Sequence, residues 1–296
     1  MKRIGLIGLG NMGIGMARNL VSGGYEVVGF DLRSERRTLL QKIGGTAADD
    51  VSGVGQAADF VFIMVLTGGQ AHEVVTADQG LLQTMRPGAT LAVSATIEPH
   101  VMQEIAAAAA GAGVRVIDCP VSGGKAGAED GTLTFMVASE RQVYEEHRDV
   151  LGCVGSEIYH VGEKPGMGQT IKAALQALIG TTFAGVFEAM VLGSKAGISG
   201  RALYDVFTAS GVRSPLLQTC MQHILDRQFT DTGSHIGTMY KDLGITMGLA
   251  HQTGTAMFAT SAAYEIFQSG ISLFPEEDNW ACVKLLEQIA STQATW

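Results

Sequence analysis

The chain has 296 residues, of which 46% are hydrophobic and 17% charged, with 39 glycines, 6 prolines and a formal charge of -9. That length exceeds one ordinary core and the apolar content can fill two, so two compact domains are expected rather than a disordered or fibrous chain. The acidic balance, with basic residues scattered, excludes nucleic acid and anionic membrane as partners, since both need a cationic face.

Short β-rich runs at 3–7, 25–30, 59–65, 90–93, 114–117 and 134–137 alternate with helical stretches that include 12–21, 35–42 and 99–110. This alternation predicts an α/β domain over 1–162, with a mostly parallel sheet covered by helices. From 163 to 296 helical periodicity repeats with almost no strand-like alternation, which predicts an all-helical domain. Its first helix is expected over 165–196, with Pro165 in its first turn and Gly197 as its stop. Between Met167 and Leu192 the charges are Lys172 and Glu188, so this helix must be covered on nearly every side and suits a subunit interface. Its uncharged stretch, 173–187, falls short of the roughly 20 residues that a bilayer span needs, so no membrane partner is expected. Glycines at 5, 8, 10 and 13 likewise spoil the N-terminal apolar run as a signal peptide. The cysteines at 119, 153, 220 and 282 form no CxxC pair and have no histidines at ligand spacing. Neither a disulfide framework nor a metal site is expected, and a reducing, cytoplasmic setting fits.

Gly8-Leu9-Gly10-Asn11-Met12-Gly13 follows the first strand and opens a helix, the setting that a dinucleotide-binding loop requires. Gly8 permits the tight turn, Gly10 lets the main chain approach a pyrophosphate, and Gly13 allows close strand–helix packing, while the helix N-terminus offers N–H groups to the anion. Asp31 ends the second strand 18 residues beyond Gly13, where a carboxylate accepts hydrogen bonds from ribose hydroxyls and repels a 2′-phosphate. This favours NAD. NADP stays open because Arg33 can pair with such a phosphate, although Arg33, Arg36 and Arg37 read first as a solvated helix face. Met64-Val65-Leu66-Thr67 and Ser94-Ala95-Thr96 end later strands, at the edge where ligands meet an open α/β sheet. Val65, Leu66 and Thr96 are therefore candidate cofactor contacts, and Thr96 reads equally as a helix cap before Pro99.

Three further motifs carry chemistry. In Asp118-Cys119-Pro120-Val121-Ser122-Gly123-Gly124, two glycines and a hydroxyl follow a strand and can bind a substrate carboxylate, or form only a turn. In Gly166-Met167-Gly168-Gln169-Thr170-Ile171-Lys172, a lysine stands among apolar neighbours. Desolvation there disfavours the ammonium form and suits Lys172 to proton transfer, unless the side chain snorkels to water. Gln176, at i+4, shares its helical face and can orient a substrate hydroxyl or the lysine. Tyr240-Lys241-Asp242-Leu243 reads on its own as a surface charge pair.

These motifs in this order, with Gly131-Thr132-Leu133 between them, resemble the β-hydroxyacid dehydrogenase family, of which 3-hydroxyisobutyrate dehydrogenase is the type, over essentially the whole chain. The resemblance implies an N-terminal Rossmann domain, an all-helical C-terminal domain and a homodimer or homotetramer. It also implies Lys172 as the catalytic lysine, Ser122 to Gly124 as the substrate-carboxylate loop, and Thr96 and Lys241 as cofactor contacts. The family usually carries two asparagines three and four positions after the lysine, where this chain has Leu175 and Gln176. Gln176 together with Ser94-Ala95-Thr96 is closer to the branch containing L-threonate dehydrogenase and related sugar-acid enzymes. The expected activity is hydride transfer between a small hydroxy acid and NAD, with Lys172 moving the hydroxyl proton. Alternatives are an NADPH-dependent reductase of small aldehydes, such as succinic or tartronate semialdehyde, and a non-catalytic dinucleotide-binding scaffold.

Overall fold

In the computed structural model, which describes residues 2–296, the chain forms two compact units, one running to Lys172 and the other spanning Ala173–Trp296. The first contains β1 (Arg3–Ile7), α1 (Asn11–Ser22), β2 (Glu26–Phe30), α2 (Ser34–Lys42), β3 (Thr46–Ala47), α3 (Val51–Ala57), β4 (Phe60–Ile63), α4 (Gly68–Thr76), β5 (Thr90–Val93), α5 (Pro99–Gly111) and β6 (Arg115–Asp118). It continues through β7 (Val121–Ser122), α6 (Gly124–Asp130), β8 (Leu133–Ala138), α7 (Arg141–Gly152) and β9 (Gly155–Gly162), and ends in the first turns of α8 (Met167–Lys195).

The strand order β3-β2-β1-β4-β5-β6 is parallel throughout. Beyond it β8 pairs antiparallel with β6 and β7, and parallel with β9. Strands β4 and β5 are buried along their whole length, as parallel strands covered on both faces must be, which is why they read as continuous apolar runs. Successive side chains serve opposite faces. Phe60 and Phe62 enter the core beneath α1 with Leu6, Leu20 and Phe135. Val61 and Ile63 enter the other with Leu91, Met102 and Ile105. Strand order reverses between β1 and β4, so the loops after these two strands border the crevice where an open α/β sheet takes its ligands.

All six expected strands form, those at 3–7 and 90–93 with the expected ends and the others with ends shifted by at most two residues. Two of the additional elements have sequences that argue against their own state. α3 holds two glycines in seven residues and is started by the Asp50 carboxylate, which accepts from Gly53 N at 2.7 Å. β9 lies at the margin of the sheet with Gly155 its one buried residue, so no apolar alternation marks it. α4 had a readable start, a capping box of Thr67 and Gln70. Pro165 is a correction: it precedes the long helix rather than lying in its first turn, because Gly166 at φ +93° turns the chain ahead of Met167.

The second unit is helical. From Ala173 it takes the remainder of α8, then α9 (Gly200–Ala209), α10 (Pro215–Leu225), α11 (Ile236–Thr253), α12 (Phe258–Leu273) and α13 (Val283–Ala290). Its core gathers Phe183, Phe187, Met190, Cys220, Phe267 and Trp280, with the Phe183 and Trp280 rings edge to face at 5.2 Å. The Arg227 guanidinium pairs with both oxygens of Glu287, at 2.5 and 2.9 Å, and Glu287 also accepts from Ala294 N, which ties down the final residues. By length and composition α8 would pass for a membrane span, but half of that window is buried inside the protein.

At the amino-terminal edge of the sheet, His147 of α7 is buried against Phe60, with ring centroids 4.8 Å apart. Its Nε2 lies 2.8 Å from Thr90 Oγ1 and 3.5 Å from Arg115 Nη2. A guanidinium only donates, so Nε2 is the acceptor and the ring is neutral. Burial, then the charges of Lys2 and Arg115, lower the His147 pKa to about 4. The folded value lies below the unfolded one, so this stability is present above about pH 6.5 and is lost as pH falls toward 4. His147→Gln should therefore flatten the fall in Tm between pH 6.5 and 4. Parallel Tm profiles for variant and wild type would refute this.

Candidate active site

The loop joining β1 to α1 is built for an anion. Gly8 has φ +89°, a conformation in which a Cβ would strike the main chain of Met64 just beyond β4. Gly10 caps α1 without any side-chain hydrogen bond, and no acidic residue stands in the first turn. The first N–H groups of that helix are thus left to an external acceptor. A Cβ added at Gly10 would find nothing within 4 Å except the Arg33 guanidinium at 3.9 Å. This open, uncapped cradle, formed by Gly8, Leu9, Gly10, Asn11, Met12 and Gly13, fits a dinucleotide pyrophosphate.

Asp31, just after β2, accepts from Leu9 N at 2.8 Å and from Arg33 N at 2.9 Å, and its carboxylate meets Arg33 Nε at 3.3 Å. Burial pushes its pKa up, but the two backbone N–H groups and the Arg33 guanidinium outweigh burial and hold the carboxyl below its usual value. Asp31 is therefore an anion beside the glycine loop. Arg33 is exposed, whereas Arg36 and Arg37 depart from a solvated face. Arg36 Nη2 donates to Asn11 Oδ1 at 3.1 Å, and Arg37 donates to the Asp31 carbonyl while lying over the Phe30 ring. They are folded onto the end of β2 and the loop because carbonyl, carboxamide and carboxylate acceptors converge there. Val65 and Leu66 follow β4 at the same edge, and Leu66 N donates to Gln70 Oε1 at 3.0 Å.

A second group of residues surrounds the carboxyl ends of β5 and β6. Asp118, the last residue of β6, is fully buried. Its Oδ2 accepts from Gly166 N at 2.8 Å, Gly168 N at 2.9 Å and Gln169 N at 3.4 Å, and its Oδ1 from Gln169 Nε2 at 3.1 Å. Burial dominates and pushes its pKa up to about 7, against those donors. Gln169 also reaches the loop after β5, where Nε2 donates to the Ala95 carbonyl and Oε1 accepts from Ile97 N, each at 3.0 Å. These two contacts flank Thr96. The N-cap position of α5 is occupied by Glu98, so Thr96 is not the cap of that helix. Lys172 lies one turn past Gly168 on α8 and is 6% exposed, which removes the reading of a side chain snorkelling to water. Ser122 ends β7 and pairs with Thr134, and Gly123 and Gly124, at φ +126° and +60°, lead into α6. A Cβ at Gly124 would meet nothing within 4 Å, so that loop has room for a ligand.

In the second unit, Gln176 Nε2 donates to Asp242 Oδ2 at 2.5 Å, and Lys241 Nζ meets Asp242 Oδ1 at 2.7 Å. Asp242 is 3% exposed, so Lys241-Asp242 is a buried link to Gln176 and not a surface charge pair. Thr246 Oγ1 closes the group by donating to the Ala173 and Asp242 carbonyls at 3.0 Å. Sequence reasoning passed over Asp118, Gln169 and Asp242 as participants. The available signals were that each lies inside a motif already singled out, and that Asp118 ends a strand in the sheet interior. Among the described residues no cluster of metal-ligating side chains occurs.

The family described as the NAD-binding domain of 6-phosphogluconate dehydrogenase matches residues 3–162, and that described as NAD-binding of NADP-dependent 3-hydroxyisobutyrate dehydrogenase matches residues 166–286. The chain is 32% identical to L-threonate dehydrogenase of Escherichia coli O6:H1 (strain CFT073), over 97% of this chain and 95% of that one. It is 31% identical to 2-(hydroxymethyl)glutarate dehydrogenase of Eubacterium barkeri, over 99% and 97%. Its fold superposes on the crystal structure of a 3-hydroxyisobutyrate dehydrogenase from Salmonella typhimurium with a TM-score of 0.88 and 32% identity, covering 96% of this chain and 100% of that one. A glycine cradle for a dinucleotide, a buried lysine at the same sheet edge and likeness along the whole length lead to one statement: the chain belongs to the β-hydroxyacid (3-hydroxyisobutyrate) dehydrogenase family and is an NAD(P)-dependent hydroxyacid dehydrogenase.

Proposed function

We propose that this enzyme oxidises a small hydroxy acid of the sugar-acid type, L-threonate or a close relative, with NAD preferred over NADP and Lys172 as the proton-transfer group. The observation that carries this reading is the burial of Lys172 on a helix whose start is hydrogen-bonded to the carboxyl end of β6, immediately before the Ser122-Gly123-Gly124 loop. The bound nicotinamide supplies the hydride acceptor. Ser122 and the N–H groups of Gly123 and Gly124 bind the substrate carboxylate, and Lys172 Nζ takes the hydroxyl proton, returning one in the reductive direction. Gln176, held by Asp242, orients the substrate hydroxyl. Gly8 to Gly13 hold the pyrophosphate, Asp31 the ribose, and Val65, Leu66, Thr96 and Lys241 complete the cofactor contacts. An assembly of two or four copies would cover Leu178 and Leu192, apolar residues of α8 that are exposed in the single chain.

Turnover of L-threonate, 3-hydroxyisobutyrate and 2-(hydroxymethyl)glutarate with NAD and with NADP tests the reading directly. The expected result is a higher kcat/KM for L-threonate, with NAD ahead of NADP, and a preference for NAD that widens in Arg33→Ala. Reduction of succinic or tartronate semialdehyde with NADPH alone, abolished by Arg33→Ala, would replace it with the aldehyde-reductase alternative. That alternative draws on the Arg33 guanidinium lying beside Gly10.

A further inference from the structure

The Asp118 motif and the Gly166-x-Gly168 motif are two halves of one device. A buried carboxylate at the end of β6 receives three backbone N–H groups from residues 166–169 and one side-chain N–H from Gln169. The carboxamide of Gln169 then grips the β5 loop on both sides of Thr96, through the Ala95 carbonyl and Ile97 N. Both glycines are needed for so close an approach. At Gly166 a Cβ would stand 3.0 Å from the Pro99 carbonyl in a positive-φ conformation, and at Gly168 it would run into the Asp118 carboxylate and the Met136 carbonyl. Lys172 is three residues beyond Gln169 and four beyond Gly168, so its side chain rises from the helical face that makes these contacts.

We propose that Asp118 and Gln169 are positioning residues for proton transfer: together they fix the first turn of α8, and with it Lys172, in register with the β5 loop that carries Thr96. The proposal rests on the reading of Lys172 as the proton-transfer group. A carboxylate suits this place for two reasons. The end of a helix that presents N–H groups favours an anion. Four donors also converge on its two oxygens, and an asparagine would turn an NH2 group toward N–H groups and leave donors unsatisfied. The connection reaches chemistry because a misplacement of about 1 Å at a reacting group costs on the order of 100-fold in rate.

The test uses the full chain with L-threonate, or with whichever hydroxy acid the screen above shows to be turned over, deuterated at the carbon that gives up hydride. Asp118→Asn is expected to lower kcat by about 10–100-fold, leave KM for NAD little changed and raise the primary deuterium isotope effect on kcat, because hydride transfer then becomes the slow step. Gln169→Leu should give the same split, and the double variant should lose no more than the worse single variant, as expected of residues acting as one unit. If Asp118→Asn does not fold, Gln169→Leu decides. A purely structural role would lower Tm in both variants with wild-type kcat and isotope effect, and that result overturns the proposal. Lys172→Ala separates the two levels. Near-normal turnover there removes the reading on which the proposal rests, whereas an inactive Lys172→Ala beside wild-type kcat in both positioning variants removes the positioning role alone.

Discussion

Replacing Lys172 by alanine is expected to lower kcat by about 100- to 10,000-fold, the usual contribution of a positioned acid–base group, while NAD affinity changes little. The two effects separate because the cradle at Gly8 to Gly13 is made by the β1–α1 turn and owes none of its N–H groups to α8. A second substitution distinguishes proton transfer from charge. Lys172→Arg keeps a cation and its donors, but a guanidinium with a pKa above about 12 does not give up its proton to become a base. It should therefore be nearly as inactive as alanine, even though it preserves the electrostatic attraction for a substrate carboxylate. Steady-state kinetics at several pH values, with stopped-flow hydride transfer to exclude slow product release, measures both variants. Turnover within a few-fold of wild type in either one would mean that another group moves the proton.

Much of this was legible in the sequence because the physics was local. The β1–α1 turn needs glycine where φ is positive and where a helix lies against the turn, so the spacing of Gly8, Gly10 and Gly13 is enough to fix its geometry. The strands at 60–63 and 90–93 were equally plain, being buried on both faces. What stayed hidden was tertiary. Asp118 carries no local sign that its partners lie about fifty residues away at Gly166 to Gln169, and Asp242 reads as half of a surface pair until Gln176 is brought to it from another helix. Two arginines after β2 misled in the same way. Helical periodicity assigns them to solvent, whereas Asn11 Oδ1 and the Asp31 carbonyl, which capture Arg36 and Arg37, come from outside that helix. Short elements such as α3 and β9 were concealed for another reason: they owe their state to a single cap or to one neighbouring strand, against their own composition.

Gly13→Ala supplies the other large effect, and its sign alone is informative. Gly13 lies within α1, where alanine is worth about 1 kcal/mol more than glycine in an ordinary helix, so propensity predicts a more stable protein. The packing predicts the reverse. A Cβ at Gly13 would overlap the Gly8 carbonyl oxygen and come within 3.1 Å of Leu6 Cδ2. That oxygen belongs to a turn whose own N–H is committed to the Phe30 carbonyl at 2.9 Å, so it has little room to swing aside. The helix must slide away from β1 instead, at a cost of about 1–3 kcal/mol for overpacking, and its N-terminal N–H groups move out of reach of the pyrophosphate. Urea unfolding should therefore show a net loss of stability, and titration with NAD an affinity weakened by about tenfold or more, equivalent to roughly 1.4 kcal/mol. Gly248→Ala is the matched control, since that position is also helical, within α11, and a Cβ there meets nothing within 4 Å. It should follow propensity and stabilise. If Gly13→Ala behaved like Gly248→Ala and bound NAD normally, α1 would not rest on the turn through Gly13, and the close approach that makes the cradle would have to be sought in other residues.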